Sequence, residues 1–133
     1  MPAHIIDIAP TMLELAGADP SELTGRYNAP GISLVPFLSQ DTQTERPPLF
    51  FLHERKKALR HGDWKICTIE EDGPWELYDL SVDRGETHNL AMENPEKLQE
   101  LVTLWESQRI EIIEQIGAAN ASGAEDTAHF NPL

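Results

Sequence analysis

"LRHGDWKICTIEEDGPWELYDLSVDRGETHNLA", residues 59–91, carries two apolar runs that alternate with polar residues, each with a tryptophan at its start. Alternation of this kind is the pattern of a strand with one face buried, and clusters of Gly, Asp and Pro mark where such strands turn. The stretch "KALRHGDWKICTIEE" therefore divides into two strands meeting near His61, Gly62 and Asp63, with Gly62-Asp63 as the turn. "EDGP" at 71–74 supplies a second turn, and "WELYDL" at 75–80 a third strand with Trp75, Leu77 and Asp79 on one face and Glu76, Tyr78 and Leu80 on the other. Connections this short favour antiparallel pairing.

Working outward, "LFFLHE" at 49–54 is an apolar, aromatic-rich run and predicts a further strand buried on both faces. On the other side "NPEKLQELVTLWESQRIEIIEQIG" predicts a long helix: Asn94 as N-cap, Pro95 at the first helical position, Glu96 in the first turn and Gly117 at the end. Leu98, Leu101, Val102, Trp105, Ile112, Ile113 and Ile116 recur at helical spacing and form a stripe for packing on a sheet. The fold class is α+β: a small antiparallel sheet of about three to four strands packed against a long C-terminal helix.

Ahead of this unit, "HIIDIAPTMLELAGADP" predicts a short helix with Asp7 as N-cap, Pro10 in the first turn and Gly17 after the last apolar position. Its face would consist of Ile8, Met12, Leu15 and Ala16, flanked by Ile5 and Leu13. The stretch up to Pro48 is dense in Pro, Gly, Asn and Ser and reads as loop, except that "SLVPFL" can make one helical turn capped by Ser33. "AANASGAEDTAHFNPL" at the end is small and polar and reads as a flexible tail, and no internal repeat is present.

A chain of 133 residues suits one core. A net charge of −13 disfavours nucleic acid and anionic membranes, both of which are bound through clustered Lys and Arg. No apolar run approaches the roughly 20 residues that span a bilayer, and the N-terminus lacks the pattern of an export signal. The single cysteine, Cys67, excludes an internal disulfide and reads as a half-buried strand residue rather than a nucleophile.

Taken in order, "HIIDIAPTMLELAG", "PGISLVPFL", "LFFLHERKKALRHGDWKI" and "PWELYDLSVDRGETHNLAMENPEKLQEL" resemble the C-terminal part of the arylsulfatase-type sulfatases, a branch of the alkaline-phosphatase-like superfamily, from about residue 4 to about 107. Each motif alone is short. Their order and spacing carry the signal. The resemblance implies that residues 1–47 are the end of a large α/β domain, that 48–116 form the C-terminal subdomain, and that 117–133 are a tail. It also implies sulfate-ester hydrolysis with a formylglycine and a calcium ion, supplied by an N-terminal catalytic domain that would be the partner of this chain. No cofactor is expected in the chain itself, because Cys67 is followed by "TIEED" rather than by Pro and Arg. Family members are often periplasmic, secreted or lysosomal, which leaves the compartment open. The expected role is scaffold and wall of the substrate cleft, not catalytic alone; the alternatives are a stand-alone acidic interaction module and one half of a split sulfatase.

No residue here is a candidate for catalysis. His53-Glu54 corresponds to the family's "HEGN" segment near the rim of the cleft, with Arg55-Lys56 in place of the Gly-Asn, so His53, Glu54, Arg55 and Lys56 are the candidate substrate-binding residues. A purely structural reading, hydrogen bonding at a strand end, stands beside that one. Asp79, Asp83, Glu86 and Asn89 miss the spacing of a calcium loop and are expected to cap backbone around a turn, with Leu90 tucked under the helix. Trp75, Tyr78 and Trp105 are expected in the core. His4, His61, His88 and His129 lack metal-ligand spacing, so no metal site is assigned. With no domain to cover the helix face at 8–16, the first 45 or so residues are expected to be mobile or to self-associate through it, while 48–116 form the stable unit.

Overall fold

The computed structural model describes residues 2–19, 31–39 and 45–121. The loop expected over 20–30 and 40–44, His129 and the tail from 122 onward lie outside the described residues.

Four strands form one antiparallel meander in the order β1 (Leu49–His53), β2 (Lys56–His61), β3 (Trp64–Thr68) and β4 (Glu76–Asp79). His53 pairs with Lys56 and His61 with Trp64, so the first two hairpins each turn through two residues. Two-residue hairpins need a left-handed backbone angle. Gly62 provides it in the second, with φ of 60°, as its place in the sequence implies.

The register sorts the side chains by face. Phe50, Leu59, Ile66 and Leu77 stand opposite one another across all four strands, and this apolar row meets Leu101 and Trp105 of the long helix α3 (Pro95–Ala121). The neighbouring row, Leu49, Arg60, Lys65 and Tyr78, lies on the other face because successive side chains alternate. Trp105 is the centre of the core at 1% exposure: Phe50 stacks on it at 5.2 Å, Trp75 meets it edge-on at 5.5 Å, and its Nε1–H donates to the Phe51 carbonyl at 3.3 Å. A buried indole satisfied in this way loses little on desolvation.

Several sequence expectations change at this level. The helix does not stop at Gly117 but runs to Ala121. Its 27 residues reach about 40 Å, roughly twice the span of strands of four to six residues, so the far half overshoots the sheet. Ile112, Ile113 and Ile116, expected on the packing stripe, are consequently exposed. Strand β1 is buried only at its start; Leu52 and His53 face solvent and Glu54 belongs to the turn. Strand β4 begins at Glu76, leaving half-buried Trp75 as the residue that leads in, while Leu77 and Tyr78 are buried on opposite faces.

The outer edge of β4 is occupied by its own downstream loop. Asn89 Oδ1 accepts from the Leu77 N–H at 3.0 Å and the Leu90 N–H donates to the Leu77 carbonyl at 2.8 Å, which seats Leu90 against the core beside the helix.

The N-terminal segment is tied by a buried ion pair to the stretch just ahead of β1, and the His4 ring meets Phe51 of β1 edge-on at 5.3 Å. A 3-10 turn at Ile5–Asp7 leads directly into α1 (Ile8–Leu15). Asp7, expected to cap α1, makes no side-chain cap there. Its carboxylate instead takes both terminal nitrogens of Arg46, at 2.8 and 3.2 Å, together with the backbone N–H of His4 and of Ile32. Arg46 also donates to the carbonyl of Pro2, so this cluster joins three separate stretches of chain just before β1. Thr11 adds a second tie, its Oγ1 accepting from the Leu34 N–H ahead of α2 (Val35–Ser39).

Gly31 belongs to the same junction: a Cβ there would lie 2.0 Å from the Ile6 carbonyl oxygen, a backbone atom that cannot step aside. Gly31→Ala is therefore expected to pry the 31–34 strip off the 3-10 turn. Hydrogen exchange should show faster exchange of the Ile32 and Leu34 amides and unchanged exchange of Ile66.

Candidate functional site

The predicted substrate residues form the tip of the first hairpin: His53 ends β1, Glu54 and Arg55 turn, and Lys56 opens β2. All four are exposed. The left-handed angle falls on Glu54, with φ of 55°. Arg55, which replaces the family glycine, is not in that conformation, so it occupies its place without the strain that a side chain would suffer at positive φ. The cost rests on Glu54, at about 1–3 kcal/mol for a non-glycine residue held there.

Around this tip the charges are mixed in sign and exposed. Arg55 lies 3.7 Å from Glu71, both well exposed, an ion pair that contributes little in water. Lys57 donates to the Glu71 carbonyl at 2.6 Å and holds its ammonium 5.5 Å from the Trp105 ring, which couples the turn at 69–75 to the tip and to the core beneath. The geometry offers cations and hydrogen-bonding groups on a surface, without a nucleophile and base in contact.

Of the loop residues expected to cap backbone, Asp79, Asp83 and Asn89 do so, whereas the Glu86 carboxylate is taken by a lysine side chain. Asp79 Oδ1 accepts from the N–H and hydroxyl of Ser81, and Asp83 takes the N–H groups of Thr87 and His88 and the Thr87 hydroxyl. Hydrogen bonds from His88 and Thr87 hold the Asp83 carboxyl below its ordinary pKa. Glu86, itself at φ of 54°, is held by Lys65, whose ammonium reaches both carboxylate oxygens at 2.6 Å. Among the described residues no group of three or more His, Cys, Asp or Glu is placed to hold a metal ion.

Cys67 sits mid-strand in β3, half-buried, and burial pushes its thiol pKa up; nearby Glu76 adds to the effect. A thiol so placed is a poor nucleophile. Tyr78 is raised to about 12, first by burial and then by its hydrogen bond to Glu76. Neither residue fits the precursor of a formylglycine: Cys67 lies within the sheet and is followed by Thr68 and Ile69.

The sequence points to Asp7 only as an N-cap, and its pairing with Arg46 is not legible there. Burial raises its carboxyl pKa, but hydrogen bonds from Arg46, Ile32 and His4 and the Arg46 charge outweigh it and hold the group below the usual carboxylate value. Two charges at 0% and 5% side-chain exposure, met with full hydrogen bonding, make a structural clasp rather than a reacting pair. The signal available was Arg46 directly before Pro47-Pro48, at the end of a stretch poor in cations. Nothing in sequence linked it to a residue 39 positions earlier.

No protein-family model matches the chain. Among curated proteins, arylsulfatase K of Gallus gallus is 34% identical over 113 residues, covering 73% of this chain and 20% of that protein. A sulfatase of Formosa agariphila is 33% identical over 106 residues, covering 69% and 19%, and an uncharacterized sulfatase of Schizosaccharomyces pombe is 43% identical over 53 residues, covering 38% and 10%. The chain thus spans a fifth or less of the length of these relatives. Among solved structures, a protein in complex with its substrate D-glucosamine-2-N,6-O-disulfate superposes with a TM-score of 0.55 at 23% identity, over 90% of this chain and 25% of that one. A sulfatase-type protein of Bacteroides thetaiotaomicron gives 0.50 at 24% identity, over 95% and 27%. These two likenesses carry the fold, and no helix among the described residues is long and apolar enough to cross a membrane.

Proposed function

With a chain that is related in sequence and fold to the C-terminal part of the arylsulfatase-type sulfatases as the premise, we propose that it serves as the C-terminal portion of a sulfuric ester hydrolase, as scaffold and as one wall of the substrate cleft. The observation that supports this most is the match to arylsulfatase K over 73% of the chain but only 20% of the relative. The formylglycine and calcium of the family would then be supplied by an N-terminal catalytic domain, and no chemical step is assigned to residues of this chain.

The surface of α1 suits such a partner. Ile8, Met12 and Leu15 are more than half exposed, and covering each is worth roughly 1.5–3 kcal/mol. The clasp at Asp7 and Arg46 holds the start of that helix to the stretch that leads into β1. Self-association through the same face is the competing outcome when the partner is missing.

The 53–56 tip is the part of the wall offered to substrate. Arg55 and Lys56 are exposed cations whose only nearby carboxylate pairing is loose, which suits an anionic sugar. Three measurements test the proposal together. The chain alone, given an aryl sulfate and calcium, is expected to show no turnover; addition of the N-terminal sulfatase part is expected to restore it; and Arg55→Ala with Lys56→Ala in the assembled enzyme should raise KM about tenfold for an anionic sugar sulfate with little change in kcat. Metal-dependent hydrolysis by the chain alone would overturn the reading. Retention of a defined partner with no gain of hydrolysis would favour the stand-alone module.

A further inference from the structure

The end of the sheet opposite the 53–56 tip carries a cleft of about 500 Å³. Pro2 and Leu80 form its apolar side, and Arg60, Asp63, Arg84 and Glu86 its polar side. A six-residue strand separates the two ends by about 15–20 Å, so this cleft and the hairpin tip are different surfaces.

Its charges do not balance locally. Arg60 stands directly opposite Lys65 in the register of β2 and β3, and like charges side by side on adjacent strands repel. Lys65 is neutralised by Glu86, which removes that carboxylate from service. Arg60 keeps only a hydrogen bond from Nε to the Gly62 carbonyl at 3.2 Å, leaving its terminal nitrogens for other partners. Arg84 has no partner among the described residues. Two guanidinium groups therefore face a single unspent carboxylate, Asp63, within a chain whose net charge is −13.

We propose that this cleft is an oxyanion site, in which Arg60 and Arg84 hold a sulfate, phosphate or carboxylate group between them. Guanidinium forks match such groups with two parallel hydrogen bonds each, and an entering negative charge offsets the Arg60 and Arg84 charges, which Glu86, already paired with Lys65, does not. A metal cation is repelled by the same pair. A nucleic-acid backbone is repelled by the rest of the surface. The site stands on these residues alone, and its failure would leave the sulfatase reading untouched.

The test is a titration of the isotopically labelled full chain, read by amide chemical shifts, with sodium sulfate or sodium acetate against sodium chloride at matched ionic strength. Saturable shifts centred on residues 60–63 and 80–86, weakened at least tenfold by Arg84→Gln, are expected. Arg84 is exposed and unpartnered, so that variant keeps the fold; Arg60→Gln gives the second measure if its spectrum is intact. Saturation by sulfate alone identifies a free tetrahedral anion as the ligand, and saturation by acetate identifies a carboxylate, including an acidic side chain of a partner. Shifts no different from chloride, or saturable shifts that Arg84→Gln leaves unchanged, would overturn the site.

Discussion

Asp7→Asn is expected to destabilise the attachment of residues 2–19 to the stretch around Arg46, just ahead of β1, by about 3–5 kcal/mol, the usual cost of leaving one half of a buried ion pair without its partner. The amide keeps the size of the carboxylate but turns an NH2 donor toward groups that only donate, the Arg46 guanidinium, the His4 N–H or the Ile32 N–H, none of which can accept from it. The loss is local. Limited proteolysis should cut early within 2–19 and around 45–47, while a fragment holding Trp64, Trp75 and Trp105 persists. Replacing both partners, Asp7→Leu with Arg46→Met, is expected to restore most of the resistance, because an apolar pair of similar volume avoids the desolvation of two charges. Equal damage from the single and double variants would show that packing at this position, not charge, holds the segment. The pH dependence has a definite sign. With the folded pKa of Asp7 below its unfolded value, the contribution of the clasp is full above about pH 4 and disappears as pH falls through the depressed folded value. The segment should stay attached at pH 5 and let go only in stronger acid.

Trp105→Ala should cost about 3–5 kcal/mol of the stability of the sheet-and-helix unit, comparable to the whole margin of a small domain. The indole touches Phe50 and Trp75, lies under Lys57, and closes the row formed by Leu59, Ile66 and Leu77 against Leu101. Nothing nearby is large enough to fill the space. Urea denaturation followed by circular dichroism measures the change. Trp105→Phe, which keeps a stacked ring but loses the hydrogen bond to the Phe51 carbonyl, is expected to lose about 1–2 kcal/mol, combining a modest volume change with one lost hydrogen bond to a carbonyl that keeps its partner in β2. A shift below about 1 kcal/mol for the alanine variant would mean that another residue anchors the core.

The parts of this molecule that the sequence makes legible are those decided by near neighbours. Gly62-Asp63 between two alternating runs is enough for a hairpin, and the Asn94, Pro95 and Glu96 series is enough for the start of α3, because turn angles and helix starts depend on a few adjacent residues. The failures share the opposite cause. Asp7 has a plausible local use as a cap, and only the chain's return through Ile32 and Arg46 gives its carboxylate a better one. The isoleucines at 112, 113 and 116 have the right period for a buried stripe, but periodicity says which way a helix face points and nothing about how far the opposing sheet extends. Of the candidate site, the position of His53–Lys56 at a strand end was readable. That Glu54 would bear the positive φ was not, since glutamate is no turn former. The pairing of Arg60 with Arg84 across one cleft depends on tertiary placement and leaves no trace in spacing.

The loop that occupies β4 also limits how copies of this molecule can join. An uncovered strand invites another strand to add, and a sheet open on both sides can grow without end. Here Asn89 and Leu90 already hold the outward amide and carbonyl of Leu77, so strand addition is left to the β1 side, with its exposed Phe51 and Leu52. A molecule with one open side can pair once, edge to edge about a two-fold axis, and the pair then has no free edge left to recruit a third. Growth of the sheet itself at high concentration should accordingly stop at a pair through β1, whatever contacts the α1 face makes, and removing the plug with Asn89→Ala would be the change that lets the sheet extend further.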